Sequence, residues 1–440
     1  MNWDLTFIRR LNWLTERGLN WFAPAELVEA RPIGRPIRRV LLVKFIGLGD
    51  GVLVRSLAEH LRRRRPDMHI GILTGPATRE VLSCASDFTC HYYDPGGADA
   101  GLLRALKEIR EIRRERYEVL VDFEQHWMLV SIFLALTGIP FRIGLAAPGS
   151  MRARFQTHTV LLSGEDSMWK AYVRLARLVD PSIAEKVTTI PLPRSARVVS
   201  EIDGWCRRHL KEGEGPIVAM HLGCGSSSEA RRWPIPRFVD LAERIRRREK
   251  RTVVFLTGTR AERPLVREFS GSFSGRSVDA TSLGPIERSA ELLRRCDLLV
   301  SNDTGVMHLG AAMGTPTVGL FGPNTPARYG PVGPYATSVY ATGIPCSPCI
   351  HIHLGVVPEC FNEERGRCML DIDVESVFQA AQKVRSGKCL SRVSEGDEGP
   401  GKRDTAPIAA DRSGHDCPAT VEVPDHLAQL GPSGLLPPNP

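Results

Sequence analysis

The sequence lacks the features that mark a membrane-spanning or secreted protein. No uncharged stretch reaches the roughly 18 to 20 apolar residues that a membrane span needs, and no cleavable signal peptide opens the chain. The eleven cysteines are an odd number, and many lie in apolar or helical stretches of a 440-residue chain. That distribution is not typical of a secreted disulfide framework. We therefore expect a cytoplasmic protein.

Charge and length indicate the kind of partner and the number of domains. The formal net charge of +8 favours an anionic partner, although much of the surplus lies in arginine runs at 62–65 and 246–248. Such runs are typical of solvated helix faces, and also of surfaces that meet an anionic membrane or a phosphorylated substrate. We expect no nucleic acid partner. The chain exceeds the roughly 250 to 300 residues at which one core stops growing, which predicts two domains.

The order of apolar and helical patterns predicts an α/β fold in four segments. Residues 1–35 have the pattern of a basic amphipathic helix, which suits either a membrane interface or the protein's own surface. Apolar strands alternate with helices through residues 36–212 and again through 213–388, which predicts two Rossmann-like domains with parallel sheets. Residues 389–440 are rich in Pro, Gly, Asp and Ser and predict a disordered tail. The predicted strands are 40–45, 70–73, 119–123, 141–145, 217–221, 253–257, 298–301 and 317–321.

Polar turns follow three of these strands, at the edge where open α/β sheets bind ligands. The first turn contains Gly49 and Asp50, and its glycine spacing lacks the G-x-G-x-x-G pattern of a dinucleotide site. Asp50 is either a helix N-cap or a general base that faces the cleft. The turns at 221–228 and 301–308 offer hydroxyls and backbone N–H groups at helix starts, which suit a diphosphate.

The three turns, in this order and spacing, resemble the glycosyltransferase family of the bacterial lipopolysaccharide heptosyltransferases. The resemblance covers about residues 38–386 and is strongest over 301–312 and 320–323, together with Arg232-Trp233-Pro234. It implies a GT-B fold, in which two Rossmann-like domains face each other across a cleft. It also implies an inverting transfer without a required cofactor or metal. The expected donor is ADP-heptose, and the expected acceptor is a hydroxyl of a lipid-linked or core oligosaccharide.

The same resemblance assigns roles to single residues. Asp50 would take the proton from the acceptor hydroxyl, with Gly49 and Arg55 on the acceptor side. The residues implied to bind the donor are Ser226, Ser227, Arg231, Glu262, Asp303, Thr304, Gly305 and His308. Two positions depart from the family: Arg231 stands where lysine is usual, and Ser56 where proline is usual. Ser56 and the added charge of Arg55 beside it touch the acceptor side, which predicts an acceptor other than the standard lipopolysaccharide core.

Four cysteines, Cys346, Cys349, Cys360 and Cys368, form a separate group near the end of the second domain. Their number suits a tetrahedral zinc or iron site of a structural kind, and four reduced thiols beside a loop are the alternative. Other functions also stay open on the sequence: transfer to a protein or other glycan, a catalytically silent GT-B module, a nucleotide-sugar epimerase, or an NAD-dependent oxidoreductase.

Overall fold

The computed structural model describes residues 31–83, 88–94, 101–125, 128–147, 151–162, 166–225, 229–281, 283–352 and 357–395. Most of the predicted N-terminal segment at 1–35 and of the predicted tail at 389–440 lies outside this range. Ser226 and Ser227 also lie outside it. In the described residues, no helix combines the length and the apolar character needed to cross a membrane.

The first half of the chain forms a parallel six-stranded sheet in the order β3-β2-β1-β4-β5-β6. Its central strands are buried on both faces, which explains their continuous apolar runs. The strands are β1 Arg39–Lys44, β2 His69–Thr74, β3 Thr89–Tyr92, β4 Val119–Asp122, β5 Phe141–Ala146 and β6 His158–Leu161. The helices are α1 Leu48–Arg64, α2 Arg79–Leu82, α3 Leu102–Arg114, α4 Met128–Leu136, α5 Met168–Val179 and α6 Ala196–His209.

The second half repeats this architecture, with the strand order β12-β11-β10-β7-β8-β9. The strands are β7 Ile217–His221, β8 Val253–Thr257, β9 Arg276–Ala280, β10 Leu298–Asn302, β11 Thr317–Phe321 and β12 Ala336–Tyr340. The helices are α7 Ile235–Arg248, α8 Arg263–Ser272, α9 Ile286–Arg295, α10 Gly305–Ala312, α11 Pro326–Tyr329, α12 Arg367–Leu370 and α13 Val374–Glu395. Short 3₁₀ turns cover Met151–Phe155, Glu229–Arg231 and Arg260–Glu262.

Apolar helix faces cover both sides of each sheet, and shared apolar clusters join the two halves. In one of them, Val52 of α1 and Val81 of α2 belong with Leu309 of α10 and with Met313, just after the end of that helix. All four side chains are buried. The edges of the two sheets at which their strands end are therefore held against each other by apolar packing, and this contact positions the site.

The α/β prediction with two parallel sheets is confirmed, and each of the eight predicted strands is present within one residue at either end. Four strands were not predicted: β3, β6, β9 and β12. These are the outer strands of the two sheets, and their partly exposed residues break the apolar pattern. The domain boundaries at 35, 212 and 388 stay predictions, and α13 runs beyond residue 389 to Glu395.

Candidate active site

The turn between β1 and α1 presents a carboxylate at the carboxyl edge of the first sheet. Gly47 adopts a φ of 86°, which favours glycine, and precedes the first helical residue Leu48. Asp50 lies within the first turn of α1, whose N-cap residue is Gly47. The N-cap interpretation of Asp50 is therefore wrong, and its carboxylate is available for other contacts.

Two side chains, one at the end of β1 and one in the loop after β4, hold the Asp50 carboxylate. The Lys44 ammonium lies 3.1 Å from its Oδ2 atom, and the Gln125 amide donates to the same oxygen at 3.2 Å. The Lys44 side chain is only 2% exposed, whereas that of Asp50 is 20% exposed. Burial would lower the pKa of Lys44, but Asp50 and Glu124 outweigh it and raise that pKa well above its ordinary value. A permanent buried cation thus lies behind a carboxylate that reaches the surface.

Glu124 supports the same turn from the loop after β4. Its carboxylate accepts the backbone N–H groups of Phe45 and Ile46 at 2.5 and 3.1 Å, and it lies 3.4 Å from the Lys44 ammonium. A buried carboxylate is stable only when it is paired and hydrogen-bonded, and Glu124 has both kinds of partner. The glycine turn is therefore fixed by ionic contacts as well as by its backbone conformation.

Gln125 also links the first half of the chain to the second. Its Oε1 atom accepts a hydrogen bond from the hydroxyl of Tyr329, at the end of α11, at 3.2 Å. Its amide group additionally donates to the Tyr172 hydroxyl at 3.3 Å. The amide that orients Asp50 is therefore itself oriented by a residue of the other domain.

In the second half, the turn after β10 presents Asp303 and the start of α10. Asn324 donates to Asp303 Oδ2 at 2.9 Å, and the Arg231 guanidinium lies 3.5 Å from the same atom. Arg231 also donates to the backbone carbonyls of Asp303 and Cys224, at 2.9 and 2.8 Å. The predicted cation is thus bound to the predicted diphosphate turn, and it joins that turn to the loop after β7.

Asn302 connects the same two loops from beneath. Its amide donates to the carbonyls of Leu222 and Gly223 at 3.0 and 2.9 Å, and its Oδ1 atom accepts from the Trp233 N–H at 3.0 Å. Asn302 and Trp233 are fully buried. Both residues therefore support the loops of the site from the core. This gives a structural role to the tryptophan of the Arg232-Trp233-Pro234 element on which the resemblance rests.

The N-termini of α1 and α10 meet directly. A Cβ atom at Gly305 would lie 2.5 Å from Leu48 Cβ and 2.9 Å from the Gly49 nitrogen, and one at Gly49 would lie 2.5 Å from His308 Cδ2. Only glycine allows this approach at either position. Thr304 precedes α10 in extended conformation, so the first N–H groups of the helix point into the same region.

His308 is buried between the two carboxylates. Burial lowers its pKa, and this effect outweighs the charges of Asp50 and Asp303, which raise it. Its Nδ1 atom has no hydrogen-bond partner among the described residues. A buried imidazole with one unsatisfied nitrogen near two carboxylates is suited to a ligand contact.

Glu262 lies in the short 3₁₀ turn after β8, next to the loop that follows β7. Its Oε2 atom accepts from the backbone and hydroxyl of Thr259 at 2.7 and 3.1 Å, and its Oε1 atom lies 4.0 Å from His221 Nε2. A Cβ atom at Gly223 would overlap the Glu262 carboxylate. Glu262 is thus close to the loop that follows β7, at the carboxyl edge of the second sheet.

Two predicted acceptor-side positions have other contacts. The Arg55 guanidinium is buried over the Phe88 ring at 4.5 Å and lies 3.5 Å from Glu59, so it is not grouped with Asp50. Ser56 is buried, and its hydroxyl accepts the Ile190 N–H at 2.6 Å. The serine in place of proline thus anchors a backbone segment. The predicted effect of Ser56 on the acceptor finds no support in this contact, and the role of Arg55 stays a prediction.

The four cysteines line one small cavity beside Pro323 and Ile350. Burial, with a smaller contribution from the neighbouring thiols, raises the pKa of Cys349 to about 11 and that of Cys368 to about 12. Within the described parts of the chain, no group of three or more His, Cys, Asp or Glu residues is arranged to hold a metal ion. Cys349 and Cys368 are therefore neutral near pH 7, and zinc or iron at this place stays a prediction that elemental analysis tests.

The cavity nevertheless adjoins the site. The N–H groups of Cys349 and Ile350 donate to the Pro323 carbonyl at 3.0 and 2.8 Å, and the next residue, Asn324, holds Asp303. A Cβ atom at Gly322 would lie 3.0 Å from the Cys368 sulfur. The cysteine cluster thus packs against the turn that supports Asp303.

The assembled site has the Asp50 carboxylate on one side and the start of α10 with Arg231 on the other. Asp50 faces His308 across the junction, and the N-terminus of α10 with Arg231 supplies positive charge. Two Rossmann-like domains that meet in this way define the GT-B class of glycosyltransferases.

The chain belongs to glycosyltransferase family 9 (heptosyltransferase), whose sequence profile matches residues 105–354. Lipopolysaccharide heptosyltransferase 2 of Escherichia coli K12 is 25% identical over 302 residues, which cover 66% of this chain and 84% of that protein. Lipooligosaccharide heptosyltransferase 2 of Haemophilus ducreyi is 22% identical over 363 residues, 79% of this chain and 99% of that protein.

Solved structures agree on the fold. The structure of E. coli ADP-heptose LPS heptosyltransferase II has a TM-score of 0.60 at 20% identity and covers 80% of this chain and 99% of its own. The family 9 glycosyl transferase of Veillonella parvula has a TM-score of 0.63 at 18% identity, with 81% and 99% covered. The predictions of family, GT-B fold and glycosyltransferase activity are confirmed.

Sequence reasoning missed the residues that support Asp50. These are Lys44, Glu124, Gln125, Tyr172 and Tyr329. One signal was available: Lys44 is a charged residue that ends an otherwise apolar strand, directly before the glycine turn. A lysine in that place is buried only if a carboxylate pairs with it.

Proposed function

We propose that this enzyme transfers a heptose from ADP-heptose to a hydroxyl of a lipopolysaccharide core acceptor, with inversion at the anomeric carbon. The observation that carries the proposal is the position of Asp50, partly exposed and held by Lys44 and Gln125 opposite His308. The relatives are named for heptose transfer to lipopolysaccharide or lipooligosaccharide. This supports the choice of donor and acceptor.

In the proposed reaction, the Asp50 carboxylate accepts the proton of the acceptor hydroxyl. The acceptor oxygen then bonds to the anomeric carbon as the bond from that carbon to the diphosphate breaks. Attack from the face opposite the leaving group gives inversion. Lys44, whose pKa is raised well above its ordinary value, keeps its positive charge behind Asp50 and holds that carboxylate in place for the proton transfer.

The donor diphosphate lies, in this proposal, against the start of α10. The backbone N–H groups of Thr304 and Gly305, together with the Arg231 guanidinium, neutralise the negative charge that grows on the diphosphate as ADP departs. His308 donates to or accepts from the donor through its unsatisfied nitrogen. These fixed charges supply the stabilisation, so the proposed catalytic step needs no metal ion. Glu262 contacts the ribose.

Mass spectrometry of the products tests the proposal. The purified protein is incubated with ADP-heptose and, separately, with UDP-sugars, each with lipid-linked, free saccharide and protein acceptors. We expect one heptose added to a core saccharide acceptor. Transfer only from a UDP-sugar would overturn the donor, and transfer only to a protein would overturn the acceptor. Failure of any transfer would overturn both.

A further inference from the structure

The first two turns of α3 expose a group of large apolar side chains. Leu102, Leu103 and Leu106 are 74%, 84% and 37% exposed. In the described part of the chain, only Leu136 and Phe361 are other large apolar side chains with comparable exposure. Isolated exposed leucines are ordinary, but a contiguous group indicates an interaction surface.

Basic residues continue this surface along the same helix. Lys107, Arg110, Arg113 and Arg114 are exposed on α3. On this helix, Glu111 is paired with Lys107 at 3.9 Å, whereas Glu108 is buried against His91 at 3.3 Å. The exposed side of α3 is therefore apolar at its start and cationic along the rest. We call these seven residues of α3, together with Leu136, the docking face.

Leu136 joins the docking face through a hydrogen bond. The Arg113 guanidinium donates to the carbonyls of Leu136 and Thr137 at 2.7 and 3.2 Å. These bonds fix the end of α4 beside α3, and the Leu136 side chain is 54% exposed. The face therefore extends over two helices.

The position of α3 relates the docking face to the active site. The helix follows β3 and ends shortly before β4 begins, so it runs antiparallel to the strands. Its first turn, with Leu102 and Leu103, is therefore at the carboxyl edge of the first sheet. Asp50 lies at that same edge, in the turn after β1. The apolar end of the docking face is on the side where the cleft opens.

We propose that the docking face binds the surface of an anionic phospholipid bilayer. The leucines enter the interfacial layer, and the lysine and arginines contact lipid phosphates, as in amphipathic helices that lie on membranes. The proposal rests on the proposed function, because a lipid-linked acceptor is held at such a surface. A second copy of the chain is a poorer occupant, since a symmetric contact would bring the cations of two copies together.

Co-sedimentation of the full chain with lipid vesicles tests the proposal. One vesicle type is phosphatidylcholine alone, and the other contains phosphatidylglycerol as well. We expect binding to the anionic vesicles, and a loss of about tenfold or more in the triple variant Leu102→Gln, Leu103→Gln, Leu106→Gln. The control is Phe361→Gln, which removes an exposed aromatic side chain of the second half and should bind like the wild type.

A second variant tests the charges separately. Arg110→Gln with Arg114→Gln should abolish the preference for anionic vesicles and leave the protein folded, because both side chains are exposed. Unchanged binding of the triple variant would overturn the proposal and assign membrane binding to another segment, such as residues 1–35. Failure of the wild type to bind anionic vesicles would overturn it as well. So would light scattering that shows a dimer for the wild type and a monomer for the triple variant.

Vesicle binding is measured without the reaction, so the two proposals fail separately. With a water-soluble deacylated acceptor, the triple variant should transfer heptose at the wild-type rate. Loss of that transfer together with normal vesicle binding would overturn the docking face. A wild type that binds anionic vesicles through the leucines but transfers no heptose would overturn only the proposed function.

Discussion

Substitution of Gly305 by alanine tests the contact between the two domains. It should affect activity much more than it affects the free energy of unfolding. The added Cβ atom would lie 2.5 Å from Leu48 Cβ and 2.9 Å from the Gly49 nitrogen. Carbon atoms pack best at about 3.5 to 4.0 Å, so α1 and α10 must separate by about 1 Å. Overpacking of this kind costs about 1 to 3 kcal/mol.

The intrinsic effect on the helix has the opposite sign. Alanine is favoured over glycine in a helix by about 1 kcal/mol, so the free energy of unfolding should fall by no more than about 2 kcal/mol. Activity should suffer more, because a displacement of about 1 Å at a reacting centre costs on the order of 100-fold in rate. We expect kcat to fall by that factor while ADP still binds, since the Gly305 N–H group is retained.

Gly204→Ala is the matched control. Gly204 lies inside α6, and its added Cβ atom would meet only the flexible ends of Arg208 and Arg207, at 3.5 and 3.9 Å. This variant should be slightly more stable and fully active. Urea unfolding, ADP titration and steady-state transfer are measured for both variants. Full activity of Gly305→Ala, or a loss of ADP affinity equal to the loss of kcat, would refute the reasoning.

Three further predictions concern the supports of the site. Lys44→Met leaves two carboxylates without their buried cation and should cost about 3 kcal/mol in urea unfolding; a loss below about 1 kcal/mol would contradict the ion pairing. Tyr329→Phe removes the hydroxyl that orients Gln125 and should lower kcat about tenfold with an unchanged donor KM; an equal rise in KM would indicate a donor contact instead. Because burial raises the pKa values of Cys349 and Cys368 from 9.0 to about 11 and 12, the metal-free protein should keep its stability below pH 9 and lose it as the pH rises toward 11. Serine at both positions should flatten this dependence in urea unfolding, and an equal dependence in that variant would contradict the assignment.

The sequence predicted the parts of this enzyme that local patterns determine. Central strands such as β1 and β10 are apolar on both faces, so their runs are visible without a structure. The turns that contain Asp50 and Asp303 come directly after those strands in the chain, so their place at the sheet edge could be predicted as well. The outer strands escaped prediction because one side of each lacks a neighbour, and the apolar pattern weakens there.

The supports of Asp50 escaped prediction for a different reason. Gln125 is 75 positions from Asp50 in the chain, and Tyr329 is 204 positions from Gln125. No spacing rule connects such residues, because only the packing of β1 beside β4 and of one domain on the other brings them together. Arg55 shows the converse case: it is near Asp50 in sequence, but its guanidinium lies over the Phe88 ring, so closeness in sequence did not place it beside Asp50.

The most direct test of the central claim compares heptose transfer by the wild type, Asp50→Asn and Asp67→Asn. Asp67 is an exposed carboxylate of the same domain, paired with Arg65 at 3.1 Å, and serves as the control. The account predicts that Asp50→Asn lowers kcat by about 10² to 10⁴ while ADP binding stays within about twofold of the wild type, and that Asp67→Asn is fully active. Wild-type turnover in Asp50→Asn would contradict the assignment of Asp50 as the base.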